Sequence, residues 1–279
     1  MRRPAVDGGG EWVPSLALFT TLLPAAVGAY AWWVFYPLPP VYRWIAPLLA
    51  VIGLIGATGH LGHLLPGPLV LTRLKSSWLA REVVAAGLFT ALAAADAAIL
   101  PFLKWSVAAR IAFRLVTLAI GVLGGVASVQ LYRVETHPSW RSPYHFWWAL
   151  AATISMGSSF AVIFQPGITV RLWLGIGLAL DLFSFFVYCL WMNEAGNGAE
   201  ESFRALMYHL PLAVLRILLP VAGFSLARVI RPMTPLDTRL LPALYFLVTH
   251  LIHRMLFYRT GVKKPAVNLP YYTRMEPPQ

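Results

Sequence analysis

Eight stretches of roughly 20 mainly apolar residues divide the chain, near 14–36, 43–62, 83–103, 109–131, 145–165, 170–192, 209–230 and 239–258. About 20 such residues are what a helix needs to cross some 30 Å of hydrocarbon, so each stretch is long enough to span a bilayer. Lipid offers backbone N–H and C=O groups no water to bond, and these segments lack the strict alternation of barrel strands, so they are expected to be helices. The remaining composition agrees. Only 12% of the 279 residues are charged, against roughly 25% in an average soluble domain, and 58% are hydrophobic, with a mean hydropathy of +0.67. A soluble chain of this size would not have the polar surface it needs. The expected fold class is all-α: a polytopic membrane protein of eight transmembrane helices in a bundle, with 1–279 forming a single integral membrane domain. The first apolar run follows Arg2 and Arg3, but it is too long for a signal-peptide core and continues through Trp32, Trp33 and Phe35, so it is expected to remain as a span. No repeat period and no inverted repeat between the halves stands out, which speaks against a broken-helix transporter.

The sequence pI near 10.2 comes from 22 Lys and Arg against 11 Asp and Glu. In a membrane protein such an excess reads as loop charge that sets topology rather than as a nucleic-acid footprint. Eight spans place both termini on one side, face A, with the loops at 63–82, 132–144 and 193–208. Face A carries 13 of the basic residues and face B 8, while Arg216 lies inside the seventh span. Face A is therefore the expected cytoplasmic side. Cys189 is the single cysteine, which excludes an internal disulfide and any four-thiolate zinc or iron-sulfur site built by this chain.

The polar residues are distributed unevenly. All seven histidines, His60, His63, His137, His145, His209, His250 and His253, fall on face A or in the adjoining half of a span, and eight of the eleven acids accompany them. Histidine exchanges protons near neutrality, so a one-sided cluster points to proton handling or partner docking there. His137, His145 and His209 also read as decoration of the longer loops. His60 closes the second span beside Gly59, and Glu82 opens the third, at similar depth. This pair suits a flat ligand with ionisable hydroxyls, a quinol, whose oxidation needs a base for each proton. The plainer reading of Glu82 is a carboxylate at a helix N-terminus. Haem is a competitor, through His250 and His253 facing His60 and His63, whereas zinc lacks a carboxylate at suitable spacing. Asp96, Asp181 and Arg216 lie within spans. They read as a proton path or as internal ion pairing between Asp181 and Arg216, with Asp96 reaching toward the face B interface. Trp147 and Trp148 read as interfacial belt residues.

Three stretches together resemble a known family. His60-Leu61-Gly62-His63 followed by Ser77-Trp78-Leu79-Ala80-Arg81-Glu82 is similar to the "HLG…SxLSRE" signature of the membrane anchor subunit of dimethyl sulfoxide reductase. Tyr132-Arg133 leading to His137-Pro138-Ser139-Trp140-Arg141-Ser142-Pro143, and His253-Arg254-Met255-Leu256-Phe257-Tyr258-Arg259, extend the likeness along most of the chain. The resemblance implies a multi-pass anchor in a prokaryotic cytoplasmic membrane, serving electron transport in anaerobic or sulfur respiration. It implies that menaquinone or ubiquinone is bound by this subunit and that two electrons pass to or from a four-cluster iron-sulfur subunit. That subunit would serve a molybdenum catalytic subunit carrying a bis-guanine-dinucleotide cofactor, with no haem and no metal held here. The family's quinol-site histidine carries over to His60 and its acidic partner to Glu82, with Gly59 and His63 beside them, while Arg73, Lys75, Arg81, Arg133 and Arg141 would dock the partner. Anchors of sulfite dehydrogenases and of polysulfide or tetrathionate reductases are also similar. Two departures stand out: Leu64-Leu65-Pro66-Gly67-Pro68 replaces the usual proline and arginine after the first motif, and His250 and His253 stand where the family has an acid or small residues. The reading from another class is a small-solute or ion transporter using Asp96, Asp181 and Arg216.

Overall fold

The computed structural model describes residues 14–61, 72–133, 137–195 and 198–262, with the backbone alone at 59–61. All regular structure among them is helical. Eight helices are long and apolar enough to cross a membrane: α1 Pro14–Phe35, α2 Ile45–Leu61, α3 Trp78–Ala98, α4 Val107–Leu131, α5 Tyr144–Phe164, α6 Ile168–Glu194, α8 Leu210–Val229 and α9 Leu236–Thr260. Between α6 and α8 lies a short helix, α7, at Ala199–Tyr208. Hydropathy gave no sign of it, because α7 is amphipathic: Ala199, Ser202 and Leu206 are buried, and Glu201, Arg204, Met207 and Tyr208 are exposed. Gly198 starts it at φ 94°, a conformation that only glycine adopts without strain.

Consecutive spans pack as antiparallel neighbours, α1 on α2, α3 on α4, α5 on α6 and α8 on α9. α1, α5 and α9 also pack on one another and form the middle of the bundle. Their small residues make this close packing feasible. Ala25, Ala26 and Ala29 of α1 and Ala151, Ala152, Ser155, Ser158 and Ser159 of α5 are all fully buried. At Gly28 and Gly157 the two backbones touch, so that a Cβ built on Gly157 would lie 2.4 Å from the carbonyl carbon of Gly28. Large apolar side chains such as Ile55, Leu123, Phe183 and Leu218 point outward, as lipid-facing surfaces require.

The third span departs from the expected 83–103. Ser77 is its N-cap, with Oγ accepting from the amide of Ala80 at 3.3 Å, so the helix begins at Trp78 and stops at Ala98, short of Pro101. Averaging over a hydrophobic window conceals a helix start that contains charges such as Arg81 and Glu82. Glu82 is therefore not a capping carboxylate. It lies one turn inside α3 and is 2% exposed.

Candidate functional site

Under face A, residues from five helices meet in a buried polar cluster. Glu82 comes from α3, Ser128 from the end of α4 with Tyr132 just beyond it, and His145 and Trp148 from α5. Arg254 and Tyr258 come from α9, and Thr20 from α1. The short turn Pro138–Arg141 folds back over the cluster and adds Ser139 and Trp140. Each sequence stretch that carries the family resemblance contributes to it: Glu82 from the first, Tyr132 and Ser139 from the second, Arg254 and Tyr258 from the third.

Glu82 faces Ser128 and lies within electrostatic reach of Arg254, yet among the described residues its Oε1 has no hydrogen-bond partner. Arg254 is 4% exposed and uses its guanidinium face on aromatic rings, 3.8 Å above Trp148 and 5.6 Å from Phe257. Among the described residues its Nε is unpaired, as are Trp148 Nε1, His145 Nε2 and Ser139 Oγ. Hydroxyls line the other side: Tyr258 donates to Tyr132 at 2.9 Å and lies 3.1 Å from Thr20 Oγ1. Burial, with Tyr258 beside it, pushes the Tyr132 phenol well above its ordinary range, so it stays a neutral hydroxyl. Aromatic planes frame the cluster, with Trp140 stacked on His137 at 3.9 Å and on Phe257 at 5.4 Å. A buried carboxylate oxygen with neighbouring unpaired donors and flat rings can bind an aromatic ligand that carries hydroxyl or carbonyl oxygens.

Several expectations need correction. His145 does not decorate a loop: it is 5% exposed, in the first turn of α5, edge-on to Phe257 at 4.6 Å. Trp148 is not a belt residue, at 2% exposed between Arg254 and a His253 ring stacked at 4.6 Å, whereas Trp147 is 48% exposed. Asp96 does not reach the interface. At 1% exposed it takes Tyr30 Oη at 3.0 Å, Trp33 Nε1 at 2.9 Å and Arg114 Nε at 3.1 Å, clamping α1, α3 and α4 near face B. It stands apart from Asp181 and Arg216, which meet at 2.7 Å in the middle of the bundle, both fully buried.

His60 is in the last turn of α2, which packs beside α3, but its side chain and that of Gly59 lie outside the described residues, as does His63 altogether. Arg73, Lys75, Arg133 and Arg141 are exposed at face A. Arg81 is half-buried and holds the preceding turn, with Nε on the Leu74 carbonyl and Nη2 on the Lys75 carbonyl, both at 2.8 Å. The sequence reading missed Arg254, Tyr132, Tyr258 and Trp148 as site residues. A signal was present, since all but Trp148 sit inside the stretches that resemble the family.

The fold and the cluster define a class: an integral membrane bundle that gathers its buried ionisable groups under one face and leaves several of them unpaired. The chain matches the family described as DMSO reductase anchor subunit (DmsC) over residues 41–188, just over half its length. It belongs to that family, and is thus a membrane anchor subunit of a molybdoenzyme complex, a place that implies catalytic and iron-sulfur subunits as partners. No curated protein and no solved structure matches it. Arg254 and Tyr258 lie beyond the matched segment.

Proposed function

We propose that this anchor is the quinone-reactive subunit of its complex, binding menaquinone or ubiquinone under face A and exchanging two electrons with a four-cluster iron-sulfur subunit. That partner would serve a molybdenum catalytic subunit bearing the bis-guanine-dinucleotide cofactor. The observation that carries the reading is Glu82, a buried carboxylate whose Oε1, among the described residues, is unpaired beside unpaired donors and aromatic planes. Burying such an oxygen without a partner is costly, so a site that retains one favours a ligand that donates to it.

When bound, quinol supplies two electrons and two protons. Glu82 Oε1 accepts a proton from the ligand hydroxyl nearest α3, and Arg254 balances the carboxylate charge before the transfer. His60, at the end of α2, accepts the second hydroxyl's proton. The Thr20–Tyr258–Tyr132 hydroxyl chain fixes the position of α9 against α1, and with it Arg254. Trp140, stacked between His137 and Phe257, gives the cluster a rigid aromatic wall. Arg73, Lys75, Arg133 and Arg141 present positive charge on the same face for the iron-sulfur partner, with Arg81 shaping the loop that carries Arg73 and Lys75. The transporter reading is not favoured, because Asp96 is saturated with donors and disconnected from Asp181.

The test uses the purified complex. Glu82→Gln and His60→Ala should leave assembly intact and lower quinol-driven reduction of the clusters by about 10²-fold or more. Wild-type rates in both variants would overturn the reading.

A further inference from the structure

Face B, opposite the candidate site, carries positive charge that the chain itself does not neutralise. Arg43, Lys104 and Arg110 lie on the side of α2, α3 and α4, and Arg171, Arg228, Arg231 and Arg239 on the side of α6, α8 and α9. Among the described residues none of these cations pairs with a carboxylate, whereas Arg114, the remaining basic residue of this half, is taken by Asp96. The other acid there, Asp237, turns its Oδ1 onto the neighbouring amide of Thr238 at 2.8 Å. Face A differs, since Glu82, Glu194, Glu200 and Glu201 stand among its cations.

Two of these cations are built into the fold. Arg171, in the first turn of α6, donates from Nη2 to the carbonyl of Ile230 just past α8. Arg239, in the first turn of α9, donates from Nη1 to the carbonyl of Ile163 at the end of α5, at 3.0 Å. Residues 165–167 join α5 to α6 and residues 230–235 join α8 to α9, while α5 packs on α9 and α6 on α8. Two short turns and two arginine bonds therefore close a ring at one corner of face B. Holding a helix-end carbonyl occupies one N–H of each guanidinium and leaves its charge unbalanced. Among the described residues the Nε of both arginines is buried without a partner. α6 opens at Gly167 with no side-chain cap, a helix start that favours an anion. Ile168, Val229, Met233 and Leu236 border the ring and are strongly exposed, so hydrocarbon reaches its edge.

We propose that this corner binds an anionic phospholipid of the face B leaflet, with the headgroup phosphate on Arg171 and Arg239 and the acyl chains along the exposed apolar residues beside them. A phosphate diester brings one negative charge and two free oxygens, which guanidinium N–H groups match in pairs. Lipid is the occupant because both arginines stand at the ends of membrane-spanning helices with an apolar border, where the anion at hand is a headgroup. A free anion would gain nothing from that border. Arg228 and Arg231, exposed at the same turn, add attraction at longer range. Bound there, the lipid neutralises the corner and ties α6 to α9, a pair that the two arginine bonds leave unconnected.

The test uses the purified complex, stripped of lipid in a neutral detergent. Wild type should bind phosphatidylglycerol about tenfold or more tightly than phosphatidylcholine, and the preference should shrink as salt is raised. Arg171→Gln/Arg239→Gln should lower phosphatidylglycerol affinity by about tenfold or more and leave phosphatidylcholine binding within about twofold. Lys104→Gln/Arg110→Gln removes the same charge from another part of face B and should keep the wild-type preference. If the first double variant does not assemble, Arg239→Gln alone decides, with an expected loss of about threefold or more. Equal affinity of wild type for the two lipids overturns the proposal. So do equal losses in the two double variants, which mark a diffuse surface field, and displacement of the lipid by millimolar inorganic phosphate, which marks a site for free anions.

Discussion

Asp96 and Asp181 are both aspartates in membrane-spanning helices, and their surroundings separate them. Asp96 joins three helices through Tyr30, Trp33 and Arg114. Asp96→Ala should therefore lower stability by about 2–3 kcal/mol, below the full cost of breaking a deeply buried pair because Arg114 is 26% exposed and partly solvated. Chemical unfolding of the detergent-solubilised complex would measure it, and the molecules that remain folded should keep wild-type quinol turnover. Arg254 is the residue whose loss should affect the site most. Arg254→Gln keeps most of the stem but removes the cation above Trp148 and beside Glu82. Quinol-analogue affinity should fall about tenfold or more, and an unchanged Kd would remove Arg254 from the site. Single residues of this kind were hard to read from sequence. An arginine six positions before a helix end, like a histidine one position after a helix start, looks like ordinary loop or snorkelling charge. Only tertiary packing shows that Arg254 and His145 turn inward. Sequence reading made Glu82 the opener of its helix, whereas the capping residue lies five residues earlier at Ser77 and Glu82 turns inward.

At the scale of elements, the α1–α5 contact depends on having no side chain at Gly28 and Gly157. Gly157→Ala would force a Cβ to within 2.4 Å of the Gly28 carbonyl carbon, so the helices must separate. The expected loss is about 1–3 kcal/mol, seen as a lower unfolding midpoint of the purified anchor. Gly87→Ala is the matched control. Nothing lies within 4 Å of its added Cβ, so ordinary helix propensity should make it neutral or stabilising by up to about 1 kcal/mol. Ser77→Ala tests the start of α3 in the same way: about 1 kcal/mol of local stability should disappear, with faster amide exchange at Leu79 and Ala80. Spans were the most legible elements because hydropathy integrates over 20 residues and tolerates single errors. α7 was illegible for the same reason, being short and half polar.

Across the whole molecule, charge and polarity divide along the membrane normal. Face A carries 13 of the 22 basic residues and all the histidines lie toward it, so a reporter fused after Gln279 should be active only as a cytoplasmic fusion, while one in the loop at 231–235 should be active only on the opposite side. The reverse pattern would turn the anchor over and place the buried Glu82–Arg254 cluster on the outer side. The number of spans was readable from sequence, since it depends on sums along the chain. The membership of the site was not, because it depends on how α1, α3, α4, α5 and α9 pack laterally, and no linear pattern encodes that. That packing has a further consequence for how the protein is made. α9 emerges from the ribosome after the other eight helices, and it brings Arg254, His253 and Tyr258 to partners that α1, α4 and α5 have already set in place. A half-synthesised anchor is therefore a scaffold with an open circuit. On the function proposed above, an anchor truncated before α9 should bind no quinone analogue, because Arg254 and Tyr258 arrive only with its last span.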